Sequence, residues 1–232
     1  MNIRTIIQAR LGSSRLPNKV VKPLVEWLDS VDMLAMRLKE PVFCISETER
    51  TEREWIFNND NYYFGSEQDV LARYHQSIAY YDLDHIIRVT SDCPLMTQRI
   101  IDKLTEKHLD EGNDFTYYTG SIHGLACEAF TREALEISHS KSTKKEHREH
   151  VSDYIIETNT MKIGKLTDRE LGLITYGKEY RLTLDYPEDL TLLRGIFQEL
   201  WRPHWQTFTV QEVLDLLQRK PWMMEINERW KI

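Results

Sequence analysis

The chain has 232 residues, with 30 Lys and Arg against 37 Asp and Glu, a net charge of −7 and a pI near 5.7. That length can bury a substantial core in a single domain over residues 1–232, and the acidic balance excludes a broad electrostatic grip on nucleic acid. A mean hydropathy of −0.52 and the lack of any long apolar run exclude a membrane-spanning helix; with a strand signal at the very start, the sequence predicts a cytoplasmic protein without a signal peptide.

Residues 3 to 8 read as the first strand, and directly behind it comes Gln8-Ala9-Arg10-Leu11-Gly12-Ser13-Ser14-Arg15-Leu16-Pro17-Asn18-Lys19. Gly12, Ser13 and Ser14 are small where a strand gives way to a loop, so main-chain N–H groups can approach phosphate oxygens. Arg10, Arg15 and Lys19 supply positive charge, Arg suited to forked phosphate contacts and Lys to a point contact. The run reads as a triphosphate cradle and equally, on composition alone, as a solvated βα turn. It is neither a Walker A loop nor G-x-G-x-x-G, since it holds one glycine.

Further strands are predicted over 41–46, 61–64 and 86–90, with helices over 30–39, 50–57, 67–81 and 97–111; Gly112 stands where a C-cap glycine is expected. Strand-length apolar runs alternating with helical periods predict an α/β fold with a largely parallel sheet and helices on its faces. Asp82-Leu83-Asp84 precedes its strand and reads as a turn, not a metal motif. Asp92 follows strand 86–90 almost at once, and Asp185 follows Arg181-Leu182-Thr183-Leu184. Ligands of open α/β sheets sit outside the carboxyl ends of the strands, and two such carboxylates suit Mg²⁺; an Asp capping the next helix is the alternative for each.

In the second half, 115–119 and 126–130 read as strands, 132–138 as a helix and 138–145 as a mobile loop. A helix is expected over 144–158, strands over 172–176 and 180–184, and helices over 187–201 and 209–218. His147 and His150 fall on one face of a helix beginning near 144, where with Arg148 they can meet an anionic substrate; a solvated face fits the pattern as well. His123-Gly124-Leu125 is a loop candidate for the same role, with a plain hairpin turn as the alternative. Cys44, Cys93 and Cys127 are too far apart for a C-x-x-C site and read as buried thiols.

The segments at 8–19, 64–74 (F-G-S-E-Q-D-V-L-A-R-Y), 87–95 (I-R-V-T-S-D-C-P-L), 148–151 (R-E-H-V) and 181–190 (R-L-T-L-D-Y-P-E-D-L) occur in this order and together resemble the cytidylyltransferases of the spore-coat polysaccharide biosynthesis F type, relatives of the synthetases that make CMP-activated 3-deoxy-octulosonate and sialic acids. The resemblance implies a Rossmann-like nucleotide-diphospho-sugar transferase fold with a mostly parallel mixed sheet. It implies Mg²⁺-dependent transfer of CMP from CTP to a small acidic sugar or polyol-phosphate acceptor, with release of pyrophosphate, and a homodimer. Gln8, Ala9, Arg10, Gly12, Ser13, Ser14, Arg15 and Lys19 would hold the triphosphate, Gly65, Ser66 and Asp69 would lie near the nucleoside, and Asp92 and Asp185 would hold Mg²⁺. Arg10, Lys19, Asp92 and Asp185 are the candidate catalytic set, and His123, Gly124, Glu128, Arg148 and His150 the candidate acceptor set. The chain departs from this pattern at Lys22-Pro23-Leu24-Val25-Glu26, which lacks a glycine and a second lysine, and at His123 to Phe130, which lacks two aspartates. The second departure lies where the acceptor should approach. A glycosyltransferase using a preformed nucleotide sugar and a non-catalytic nucleotide-binding protein are the competing classes.

Overall fold

The computed structural model describes residues 1–10, 12–47, 61–202 and 208–230. Nine strands are described: β1 (Ile3–Ala9), β2 (Val42–Ser46), β3 (Tyr62–Gly65), β4 (His85–Thr90), β5 (Phe115–Tyr118), β6 (Ile122–His123), β7 (Cys127–Thr131), β8 (Ile163–Leu166) and β9 (Tyr180–Arg181). Eight α-helices accompany them: α1 (Ser30–Arg37), α2 (Val70–Tyr80), α3 (Gln98–Asp110), α4 (Arg132–Lys141), α5 (Lys145–Glu149), α6 (Asp153–Thr158), α7 (Pro187–Leu200) and α8 (Val210–Arg219). Two 3-10 segments cover Lys19–Val21 and Pro221–Trp230. No helix among the described residues is long and apolar enough to cross a membrane.

Seven strands form one sheet in the order β3-β2-β1-β4-β7-β5-β8, in which β7 alone runs antiparallel to its neighbours. The inner strands are near-continuous apolar runs because both faces are covered. Side-chain alternation divides them: Ile6, Val42, Cys44 and Ile86 pack under α2 and α4, while Ile7, Phe43, Ile45 and Ile87 join the larger core built with α1, α3, α7 and α8. The three cysteines are buried free thiols.

Local chemistry sets the helix ends. Asp29 and Asp32 cap α1 reciprocally, and Thr209 with Glu212 does the same for α8. α3 stops at a Schellman turn: Gly112 at φ 59° donates to the Leu109 carbonyl (3.0 Å) and Asn113 to that of His108 (3.0 Å).

Several expectations fail for identifiable reasons. Residues 172–176 form no strand, because Gly172 and Tyr176 both hold positive φ and fold the segment into turns. The strand at 180–184 shortens to Tyr180–Arg181, paired in parallel with β6; beyond it the Leu184 amide donates to the Asp92 carbonyl (2.8 Å). The helix at 144–158 breaks into α5 and α6 at His150, whose backbone is extended. The loop expected at 138–145 is half helix: α4 runs to Lys141, with the buried Ser138 hydroxyl donating to the Ala134 carbonyl (2.7 Å). Gly124 belongs to no hairpin; a Cβ there would lie 2.5 Å from the Leu182 carbonyl, so glycine lets the β6 turn press on the 182 backbone. The helix expected at 50–57 lies outside the described residues.

Candidate active site

The carboxyl ends of β1 and β4 and the segment after β9 converge on one cation. Lys19, set by the short 3-10 turn behind β1, is 7% exposed and its ammonium donates to Asp92 Oδ2 (2.8 Å) and Asp185 Oδ1 (2.8 Å). Asp92 Oδ1 accepts from the Thr90 hydroxyl (2.6 Å); Asp185 also accepts from Arg15 Nη2 (3.1 Å) and Arg181 Nη2 (3.1 Å). Burial opposes the charge on Lys19, but the attraction of Asp92 and the hydrogen bonds to both carboxylates outweigh it and raise its pKa. Burial likewise works against the Asp92 carboxylate, and Lys19 with the Thr90 hydroxyl overrides it, so its pKa falls below the ordinary carboxylate value. The two groups thus hold each other ionised.

A further shell fixes Asp185. Asp189, fully buried on α7, pairs with the Arg181 guanidinium through both oxygens (3.0 Å each) and accepts from the Asp185 and Tyr186 amides (3.0 and 2.9 Å).

The cleft over this centre, about 210 Å³, is lined by Gln8, Arg10, Arg15, Lys19, Val20, Val70, Arg88, Thr90, Ser91, Asp92, Glu149, His150 and Asp185. A larger recess of about 480 Å³ opens at the amino-terminal ends of β1 and β4. We assign the site to the smaller cleft, because crevices at the carboxyl ends of strands are where open α/β sheets bind ligands and because the ion-paired centre lies there.

The sequence-predicted residues divide by position. Gln8, Arg10, Arg15, Lys19, Asp92, Asp185 and His150 share the cleft. Ala9 is buried beneath it, and the Ser13 hydroxyl accepts from the Leu16 amide (3.3 Å) within the loop that carries Gly12 and Ser14. Gly65 ends β3, the Ser66 hydroxyl accepts from the Asp69 amide (3.0 Å), and Asp69 caps α2 through the Ala72 amide (2.8 Å), one residue before the cleft residue Val70. Arg148 turns away from the cleft: it donates to Asp69 (3.3 Å) and to the carbonyls of His139 (2.9 Å) and Ser142 (3.1 Å), latching α5 to α2 and α4. His147 and His150 do not share a face, since His147 is buried against Glu157 (2.6 Å) while the break at His150 swings that ring to the cleft. His123 and Gly124 sit on β6 and its turn, outside the cleft lining, and Glu128 lies behind the wall.

Arg88 was not singled out by the sequence reading. It donates to Glu128 Oε2 (2.6 Å) and Gln8 Oε1 (3.0 Å), while Ser152 donates to the other Glu128 oxygen (2.7 Å). A cation in the middle of an otherwise apolar strand was the available signal.

Among the described residues no group of three or more His, Cys, Asp or Glu forms a self-sufficient metal site. The donor set does fit Mg²⁺, which is commonly held by one or two carboxylates with phosphate oxygens and water completing its shell. Asp92 and Asp185 already share one cation, with an oxygen of each 2.8 Å from the same ammonium.

Comparison with known proteins gives the family and the fold. The cytidylyltransferase family matches residues 61–216. An uncharacterised protein of Methanocaldococcus jannaschii is 34% identical, covering 98% of this chain and 95% of its own length. The spore coat polysaccharide biosynthesis protein SpsF of Bacillus subtilis is 29% identical, covering 95% of each. A solved cytidylyltransferase from Leptospira borgpetersenii is similar with a TM-score of 0.85 at 26% identity, over 97% of both chains. The CMP:2-keto-3-deoxy-manno-octonic acid synthetase solved with CTP shares the fold, with a TM-score of 0.65 at 13% identity over 86% of this chain and 99% of that one. With the family match spanning residues 61–216 and the same α/β architecture, this chain belongs to the cytidylyltransferases, nucleotidyltransferases that use CTP.

Proposed function

We propose that the protein transfers CMP from CTP to a sugar acid or a related acidic precursor of a surface polysaccharide, releasing pyrophosphate. The observation that carries this reading is the Lys19 ammonium clasped by Asp92 and Asp185 at 2.8 Å each, beside Arg10 and Arg15 in one cleft at the carboxyl ends of the strands. The spore-coat relative supports the polysaccharide assignment.

In this reading Arg10, Arg15 and Lys19 neutralise the triphosphate, and loop amides around Gly12 to Ser14 approach its oxygens. Asp92 and Asp185 hold Mg²⁺, which supplies charge neutralisation at the phosphate oxygens when bound. Nucleotidyl transfer needs the acceptor oxygen in line with the α-phosphorus and the growing charge on pyrophosphate offset; fixed cations in a cleft supply that without reorganising. The bond from the α-phosphorus to the bridging oxygen of pyrophosphate breaks as the acceptor hydroxyl bonds to phosphorus, and in this reading the hydroxyl proton passes to Asp185 or to solvent water. His150 and Arg88, the latter held from behind by Glu128, form the side of the cleft left for the acceptor.

The test is a pyrophosphate-release screen with CTP, UTP, ATP and GTP against acidic sugars and polyol phosphates. Release from CTP with one acidic acceptor is the expected result. Consumption of a preformed nucleotide sugar with CTP untouched would instead identify a glycosyltransferase.

A further inference from the structure

The segment Pro221–Trp230 contributes nothing to the chemistry above, yet its last residue lies against the centre. Trp230 stacks on Tyr186, the neighbour of Asp185, with ring centroids 3.6 Å apart and planes 7° from parallel. Its indole N–H donates to Glu188 (3.1 Å), a residue that Arg229 also binds, so the ring is pinned to the first turn of α7. The Tyr186 ring carries the Arg15 guanidinium 4.9 Å from its centroid, and its hydroxyl accepts from Arg15 Nη1 (3.3 Å). One turn earlier, the buried Asn227 donates to the Arg181 carbonyl (3.0 Å) and to Asp189 (2.8 Å), the carboxylate that holds the Asp185 amide.

These contacts solve a specific problem. The Arg15 side chain is 52% exposed, and a long flexible cation at that exposure loses much of its contact energy to the entropy of being held. A rigid aromatic platform fixes it beforehand, through cation–π contact and a hydroxyl acceptor.

We propose that Trp230 is a positioning residue of the nucleotide site: by fixing Tyr186 it presents Arg15 to the triphosphate. The proposal rests on the assignment of Arg15 to the triphosphate made above. A role confined to packing is the alternative, and the segment has a residue for that in Met223, which is 2% exposed in the core.

Calorimetric titration of the full chain with CTP and with CMP, both with Mg²⁺, tests it. Trp230→Ala is expected to weaken CTP about tenfold, the size of one aromatic and one cation–π contact, and CMP much less. Trp230→Phe should restore most of the loss. Trp222→Ala, on the same segment but 57% exposed, should bind as the parent does. Arg15→Ala with Trp230→Ala should bind CTP no more weakly than Arg15→Ala alone, because Trp230 acts through Arg15. Where thermal melts show Trp230→Ala unfolded, Trp230→Leu against Trp230→Phe makes the same comparison without emptying the space. Parent-like CTP affinity in the folded alanine or leucine variant, equal losses for CTP and CMP, or losses that multiply in the double variant would each overturn the proposal while leaving the enzyme assignment intact. An unsubstituted protein that does not bind CTP would overturn the assignment of Arg15 and the proposal together.

Discussion

Lys19 has two carboxylate partners and almost no solvent, so its substitution removes charge from the proposed phosphate site and leaves two carboxylates facing each other. Lys19→Ala and Asp92→Asn are each expected to lower CTP turnover by about a hundredfold or more, roughly 3 kcal/mol of transition-state stabilisation, with circular dichroism unchanged. Near-normal turnover in either purified variant would remove that residue from the machinery. Asp189 behaves differently, because it never reaches the cleft: it compensates the buried Arg181. Asp189→Ala leaves that guanidinium without its main partner and should cost about 3 to 5 kcal/mol of stability by urea denaturation. At this scale the sequence placed Asp92 correctly behind a strand, since β4 ends at Thr90, whereas Asp185 lies four residues beyond the end of β9 and not at a strand end. It was silent on Asp189, an ordinary first-turn acid by its position, and on Arg88, whose partner Glu128 lies on a distant antiparallel strand.

Two glycines separate conformational freedom from close contact among the structural elements. Gly112 has positive φ and nothing within 4 Å of a would-be Cβ, so Gly112→Ala should cost about 1 kcal/mol of stability, the strain of a left-handed alanine. Gly124→Ala should cost more in the same denaturation series, since its Cβ would strike the Leu182 backbone that β6 packs against. A second contrast lies where α3 meets the sheet. His108, 1% exposed, shares ring-nitrogen contacts with His85 (3.0 Å) and the Thr116 hydroxyl (3.0 Å), and burial pushes its pKa down to about 4. Between about pH 6.5 and 4 the unfolded chain therefore binds a proton that the folded chain does not, so this contribution is present above pH 6.5 and is lost as pH falls. From pH 6.5 to 5 the loss should be about 2 kcal/mol, and His108→Gln should flatten that part of the stability profile. An unchanged slope would mean that the ring protonates inside the fold. The end of α3 was legible in sequence from Gly112, its C-cap glycine. The break between α5 and α6 was not, because no proline or glycine marks it and His150 becomes extended through its tertiary setting.

Across the whole molecule, doubly covered strands wrote themselves into the sequence as largely apolar runs, interrupted at Arg4 and Arg88, so the parallel half of the sheet could be placed from residues alone. Edge strand β8, Ile-Gly-Lys-Leu, carries a glycine and a charge and gave no comparable signal, and 172–176 carried apolar residues whose backbone folds into turns. The fold brings Asp92, behind β4 of the large sheet, and Asp185, beyond β9 of the two-stranded one, together from positions far apart in the chain, with Leu184 hydrogen-bonded to the Asp92 backbone as the strut between them. In the proposed reading, that convergence makes a nucleotidyl-transfer site of a basic loop that, taken alone, also reads as a surface turn. The most direct test follows the phosphorus: CTP labelled at the α-phosphate is incubated with Mg²⁺, the protein and a panel of acidic sugars and polyol phosphates, and both products are read. The label is expected to move to an acidic acceptor as pyrophosphate appears in equal amount, with CTP preferred over UTP, ATP and GTP and with Lys19→Ala inactive. A protein that binds CTP no better than the other nucleotides and releases no pyrophosphate with any acceptor would contradict that expectation.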